Sequence, residues 1–337
     1  LEGVSAGAAG TDADEYASKV TGTPVIMDAA GNDVTNQYRV VVKDGKLTIK
    51  PVAVEITANS NTKKYDGTAL TDGGYRITKG SFVGEEGFAS VTVAGSQTIV
   101  GESDNTITGY ELKEGTKAQN YTIATVAGKL RVTDRDENEK FEVTVTANSL
   151  EVTYNGSEQR VSGYTVEGLL EGHMLEGVSA GAAGTDADEY ASKVTGTPVI
   201  MDAAGNDVTN QYRVVVKDGK LTIKPVAVEI TANSNTKKYD GTALTDGGYR
   251  ITKGSFVGEE GFASVTVAGS QTIVGESDNT ITGYELKEGT KAQNYTITTV
   301  AGKLRVTDRG EDEKFEVTVT ANSLEVTYNG NEQSVNG

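Results

Sequence analysis

Apolar and polar residues alternate along this chain in short runs bounded by Gly, Asn and Asp. Phe141, Val143 and Val145 alternate with polar neighbours, and Leu150, Val152 and Tyr154 do so again before Asn155-Gly156. A period of two carried by β-branched residues predicts half-buried strands, and Asn-Gly predicts the turn that follows. Further on, Val214 and Val216 lead through Lys217-Asp218-Gly219-Lys220 to Leu221 and Ile223. Asp-Gly between alternating apolar residues predicts a hairpin, because Gly accepts the positive φ of a type I′ turn. Ala127-Gly128 holds the equivalent place upstream. One stretch, Asp186 to Lys193, sets Ala187, Tyr190 and Ala191 at helical spacing and predicts one short helix per type A module.

The pattern repeats. Leu175 restarts the sequence of Leu1, and residues 175–337 match 1–163 with six differences: Ala124/Thr298, Asp136/Gly310, Asn138/Asp312, Ser157/Asn331, Arg160/Ser334 and Ser162/Asn336. A period of 174 is far longer than a solenoid unit, so each period should hold whole domains. Within one period, Thr57-Ala58-Asn59-Ser60 recurs as Thr146-Ala147-Asn148-Ser149, and Tyr65-Asp66-Gly67 answers to Tyr154-Asn155-Gly156. The period therefore comprises two diverged modules. Type B spans 52–133 and 226–307, and type A spans 141–225. Residues 1–51 read as a type A module without its first strands, and 315–337 as those first strands. Residues 134–140 and 308–314 are acidic linkers without apolar anchors, expected to be the looser joints. Lys224-Pro225 is expected to be a stiff one, because the proline ring fixes φ.

Composition narrows the class. The 337 residues include no Cys, no Trp, one His, four Pro, 41 Gly and 15 Tyr, which suits many short strands and turns. A net charge of −17 excludes a nucleic-acid partner, since nothing could neutralise a run of phosphates, and argues against an anionic membrane surface. No apolar run reaches the ~20 residues of a membrane helix, so no membrane insertion is expected. Without Cys there is no disulfide framework and no thiolate metal site. The fold class is all-β: a tandem array of small antiparallel modules, each fitting either a sandwich or a β-grasp-like sheet.

Tyr65-Asp66-Gly67-Thr68, then Asn120-Tyr121-Thr122-Ile123 followed by Gly128-Lys129-Leu130-Arg131-Val132, resembles the MBG/YDG-type repeats of bacterial surface adhesins. The signature returns at Tyr239-Asp240-Gly241 and Asn294-Tyr295-Thr296, and in softened form at Tyr154-Asn155-Gly156 and Gln211-Tyr212-Arg213. The resemblance implies stalk or spacer modules of an extracellular, cell-surface protein that project an adhesive region. Two other roles stand beside this one. The modules could themselves bind host glycan or protein, or the chain could be a filament or surface-layer subunit. In the filament reading, neighbouring copies join head to tail, with 315–337 of one completing 1–51 of the next.

Candidate chemistry is sparse. His173, the only His, has no second His or Cys to share a metal, and reads as a surface-loop residue. No nucleophile motif recurs, so the chain is expected not to be an enzyme, and no cofactor is expected. Asp186, Asp188 and Glu189 offer hard oxygens that could hold Ca²⁺ and stiffen a stalk, as do Glu102, Asp104 and the 134–140 linker; solvated loops are the plainer reading. Lys64 (or Lys63), Asn120 and Glu55 supply the residue types of an intramolecular isopeptide bond, which requires a buried, desolvated Lys beside an acid. Tyr65, Tyr75, Tyr110 and Tyr121 are expected to fill cores with their hydroxyls at the rim.

Overall fold

A computed structural model describes residues 1–337. It contains 25 strands, and its only helical elements are six 3-10 turns of three residues each. The chain divides into two compact units, and the division passes through the long type A strands Met174–Gly184 and Glu189–Met201. The first unit comprises Leu1–Val145, Val166–Val178 and Gly196–Val216; the second comprises Thr146–Thr165, Ser179–Thr195 and Lys217–Gly337.

In the first unit, the type B residues build two sheets. Strand Val52–Ala58 is central to a three-stranded sheet, antiparallel to Tyr75–Lys79 and parallel to Tyr121–Val126. The four-stranded sheet runs Asn61–Lys64, Gly128–Thr133, Gly101–Leu112, Phe88–Ala94, again with a parallel pair at one edge. Val54, Ile56 and Ala58 point inward while Glu55 and Thr57 point outward, as the two-residue period requires. They meet Ile107, Phe88, Val91 and Val93 from the other sheet in a single cluster. Two sheets closing on one core without a helix make a sandwich. The sheets are mixed, so the expected antiparallel pairing is joined by one parallel pair in each. Residues Glu2–Gly7, Glu15–Val25 and Gly45–Thr48 add a three-stranded antiparallel sheet to this unit. The second unit repeats the type B sandwich with the same registers, Val226↔Tyr295 and Asn235↔Leu304 matching Val52↔Tyr121 and Asn61↔Leu130.

Two local expectations are overturned. The predicted hairpin at Asp218-Gly219 is a crossover, because Tyr212–Lys217 and Gly219–Lys224 belong to different sheets. Type B does the same at Ala127-Gly128, and Gly128 is not at positive φ. It is glycine because a Cβ there would lie 2.2 Å from the Asn59 carbonyl oxygen and 2.5 Å from that of Ala58. The predicted helix at 186–193 is a bend followed by strand Glu189–Met201. Tyr190 and Val194 turn inward with buried Ser192 between them, and pairing with Gly219–Lys224 outweighs the local helical spacing. The turn at Asn155-Gly156 forms as expected and Asp66-Gly67 makes the same turn, with positive φ at both glycines and the Asn or Asp side chain accepting the amide two residues on.

Candidate functional site at the module junctions

Polar side chains of both module types meet where one module adjoins the next. In the first unit, Asp12 of the type A sheet receives Lys117 Nζ at 2.7 Å and Asn120 Nδ2 at 3.1 Å. The amide oxygen of Asn120 returns the contact by accepting the Ala13 N–H at 2.6 Å. The Lys117 ammonium, then the Asn120 amide, hold the Asp12 carboxyl below its usual range. In the second unit Asp186, Lys291, Asn294 and Ala187 repeat this clamp at 2.6, 3.1 and 2.7 Å. Asn120 and Asp186 were singled out by sequence for other chemistry, and both are junction residues.

Beside the clamp in the second unit, Glu260 accepts the Tyr154 hydroxyl at 2.8 Å and also that of Tyr295, whose ring lies edge-on to Tyr154 at 5.8 Å. Burial raises the Tyr154 hydroxyl pKa, and the Glu260 carboxylate raises it further. Tyr154 and Leu221 of type A share one cluster with Val228 and Ile230 of type B, so the core runs through Lys224-Pro225. The corresponding place in the first unit is a cavity of about 410 Å³, lined by Asp12, Ile49, Val52, Val83, Glu86 and Tyr121.

The acidic linker 134–140 is fastened rather than loose. Its Arg135 donates to the Tyr65 carbonyl at 2.9 Å and to the Glu139 carbonyl at 2.6 Å, and its guanidinium lies 4.3 Å above the Phe141 ring. Gln211, buried, donates to Asp134 at 2.6 Å and accepts the Arg135 amide N–H at 3.1 Å. Lys64 binds Asp136 at 2.6 Å and also Glu139. Sequence missed this because the linker's anchors, Tyr65 and Gln211, are remote in the chain. At 308–314, Gly310 stands where Asp136 does, and Lys238 keeps only Glu313.

His173 is half-buried in the same junction, correcting its reading as a surface-loop residue. Its Nδ1 lies 2.7 Å from the Tyr212 hydroxyl, and its ring centroid is 6.3 Å from that of Tyr65. Burial lowers its pKa against a smaller upward pull from Asp202. Tyr65, Leu130 and Val132 of type B share a core with Val143, Ile200, Val208 and Tyr212 of type A.

The remaining candidates are dispersed. Asp186 is engaged by Lys291, Asp188 accepts the neighbouring Glu189 amide, and Glu189 pairs with Lys220, so the three carboxylates do not converge. No group of three or more acidic or His side chains is placed to hold a metal ion. Glu102 and Asp104 converge instead on Lys129. Lys64 faces the linker, Asn120 faces Asp12, and Glu55 binds Lys79 and Thr78, so these residues are not brought together for an isopeptide bond. Lys63 binds Asp66 and Thr68. Of the core tyrosines, Tyr65 and Tyr121 are buried as expected, whereas Tyr75 and Tyr110 are exposed and pack edge-on against Phe88.

No protein-family model and no curated protein matches the chain. Among solved structures it is similar to the I9–I11 tandem from titin, at 8% identity over 77% of this chain and 98% of that one, with a TM-score of 0.17. The N-terminal four Ig domains of Dscam1 isoform 9.44 (with zinc) give 11% identity over 88% and 81%, with a TM-score of 0.17. Drosophila N-cadherin EC1-4 gives 6% over 88% and 83%, with a TM-score of 0.16. At such scores the all-β class rests on the chain's own strands, and the MBG/YDG resemblance rests on its motif residues.

Proposed function

We propose that the chain is a tension-bearing spacer in an extracellular, surface-attached bacterial repeat protein, projecting an adhesive region beyond it. The observation that carries this reading is the placement of each type B module's first and last strands. Val52–Ala58 lies parallel to Tyr121–Val126, and Asn61–Lys64 lies parallel to Gly128–Thr133. Tension applied at the two ends of the module draws parallel neighbours past each other. Evenly spaced hydrogen bonds are then loaded together instead of being opened one at a time. Packed junctions support the same role, since the clamp at Asp12 and the fastened linker at 134–140 tie neighbouring modules of the first unit to each other.

Single-molecule stretching of the full chain, tethered at its termini, tests this. Each type B module should release in one step, its ~80 residues extending at about 3.5 Å each to roughly 280 Å before the folded length is subtracted. The force should be several-fold above that found when the same module is pulled across the Phe88–Ala94 and Gly101–Leu112 hairpin, which unzips. Equal forces in the two directions would rule out a mechanical role.

A further inference from the structure

Each type B module leaves one strand at the edge of its three-stranded sheet, Tyr75–Lys79 in the first copy and Tyr249–Lys253 in the second. The type A module leaves Tyr164–Glu167 at the edge of its own three-stranded sheet. These edges are counterparts, since Gly74-Tyr75-Arg76-Ile77-Thr78-Lys79-Gly80 answers to Gly163-Tyr164-Thr165-Val166-Glu167-Gly168. The tyrosine and the flanking glycines are common to both, but the charge is reversed. The edge is basic in type B and acidic in type A. All five residues of Tyr75–Lys79 are exposed, Tyr75 at 38% and Ile77 at 43% among them. In Tyr164–Glu167 the exposed residues are Thr165 and Glu167. Lys79 and Lys253 bind Glu55 and Glu229, whereas the side chains of Arg76, Arg250 and Glu167 hold no partner.

The open backbone groups of the two edges match as well. The Asn59 N–H donates to the Gly74 carbonyl at 2.9 Å, and the Asn148 N–H to the Gly163 carbonyl at 3.0 Å. Along an antiparallel pair, positions bonded to the neighbour alternate with positions that are not. Counting from Gly74, Arg76 bonds towards Thr57, while Tyr75 and Ile77 turn their N–H and C=O to the open side. Counting from Gly163, Tyr164 and Val166 do the same in type A. Ile77 lies opposite buried Ile56, and Val166 packs on the cluster that holds Val143, so both side chains belong to the core face. Arg76 and Glu167, each one residue away, stand on the outer face.

We propose that Tyr75–Lys79 or Tyr249–Lys253 takes the edge strand Tyr164–Glu167 of a second copy of this chain as an antiparallel neighbour. With Ile77 opposite Val166, the two open backbones exchange hydrogen bonds and the apolar side chains meet on the core face. Arg76 then falls opposite Glu167 on the outer face, an opposite-charge cross-strand pair. Parallel pairing in that register would set Arg76 beside Thr165. Pairing of two type B edges about Ile77 would set Arg76 opposite Thr78, and pairing of two type A edges about Val166 would set Glu167 opposite Thr165. Neither gives the charge a partner, so the unlike edge is selected. Charged residues on an edge strand ordinarily keep it from pairing, and opposite signs on the two module types turn that guard into a selection. Beyond Ile77 the register with Val52–Ala58 slips by one residue, which keeps the contact short and leaves the charges to decide it. The contact joins two different surfaces, so it associates copies side to side without closing on itself. It stands apart from the mechanical reading, because it uses only the edges of the sheets.

The test is sedimentation velocity of the full chain across a concentration series, with two charge-reversal variants, Arg76→Glu/Arg250→Glu and Glu167→Arg. All three residues are exposed, so the far-UV spectrum and melting of each variant should match those of the unaltered chain. The unaltered chain should grow in mass with concentration. Each variant alone should need at least ~10-fold more protein to associate, because like charges then stand opposite each other. An equal mixture of the two variants should recover association, since the new carboxylate at 76 or 250 meets the new guanidinium at 167. Hydrogen exchange read by mass spectrometry should slow over 74–80, 248–254 and 163–168 as the unaltered chain associates. A chain that stays monomeric throughout would overturn the proposal. So would variants that associate as readily as the unaltered chain, a mixture no better than either variant alone, or slowed exchange confined to other strands.

Discussion

Replacing Gly128 and Gly302 together by alanine places one methyl group at the same point of both type B modules. The Cβ at residue 128 would sit 2.2 Å from the Asn59 oxygen, 2.5 Å from the Ala58 oxygen and 2.6 Å from the Asn59 carbonyl carbon. At residue 302 the distances are 2.3, 2.5 and 2.6 Å to the equivalent atoms of Asn233 and Ala232. All of these are backbone atoms, and real Cβ contacts stay beyond 3.0 Å, so the 58–60 turn must move away. That turn is pinned, because Asn105 donates to the Asn59 oxygen at 2.9 Å and the Lys129 N–H donates to Ser60 Oγ at 2.9 Å. Overpacking against a fixed backbone costs about 3 kcal/mol per module, at the top of the usual range. The lower entropy of the unfolded alanine chain returns ~0.5–1 kcal/mol, leaving a net loss of roughly 2 kcal/mol. For a module of this size, the calorimetric transition should fall by about 8–16 °C. Gly115→Ala with Gly289→Ala is the control. These glycines sit at φ +88° and +86° with nothing within 4 Å, so only the left-handed strain of ~1–2 kcal/mol remains, offset by the same entropy. If Gly128→Ala/Gly302→Ala melts no lower than this control, the close-approach explanation of the crossover glycine is wrong.

Four further outcomes follow from side chains held in particular environments. Asn105 and Asn279 are fully buried, and each amide donates to two backbone oxygens, at 2.9 and 2.8 Å for Asn105 and 2.9 and 2.9 Å for Asn279. Changing both to Asp strands those oxygens and should lower type B stability by ~3 kcal/mol or more, read by urea unfolding. Burial pushes the Tyr65 and Tyr295 hydroxyls up to about 12, so the unfolded chain ionises first, and stability should fall as pH rises from the ordinary value of 10.0 towards 12. Ultraviolet titration showing all tyrosines ionising together near 10 would contradict this. Burial alone would raise Asp66, but Lys63 and the Thr68 amide and hydroxyl outweigh it and hold it at about 2. Its contribution is present above the ordinary 3.8 and lost as pH falls to about 2; Lys63→Met should move the Asp66 carboxyl resonance up towards 3.8. His173, the single imidazole, should titrate below 6.5, and its protonation should weaken the Tyr65–Tyr212 junction as pH drops through that value. A proton resonance titrating at or above 6.5 would show that the ring is not desolvated.

By itself the sequence determined the strand pattern, the 174-residue period and the Asn155-Gly156 turn. Each of these depends on neighbours in the chain or on identity between copies. Alternation at Val54, Ile56 and Ala58 is enough to say which side faces a core, though it cannot say which sheet closes over it. What the tertiary structure decided lies between residues far apart in sequence. Asp218-Gly219 has the composition of a hairpin, but the adjoining strands find partners in different sheets, and long-range pairing outweighs turn preference. The 186–193 segment has helical spacing, but a strand edge offers hydrogen bonds along its whole length. The linker at 134–140 has no apolar anchor of its own, and its stiffness comes from Tyr65, Phe141 and Gln211. Asn120 and Asp186 were visible as polar residues worth attention. Only the fold, by bringing Lys117 and Asp12 to one and Lys291 and Asn294 to the other, made them parts of a junction.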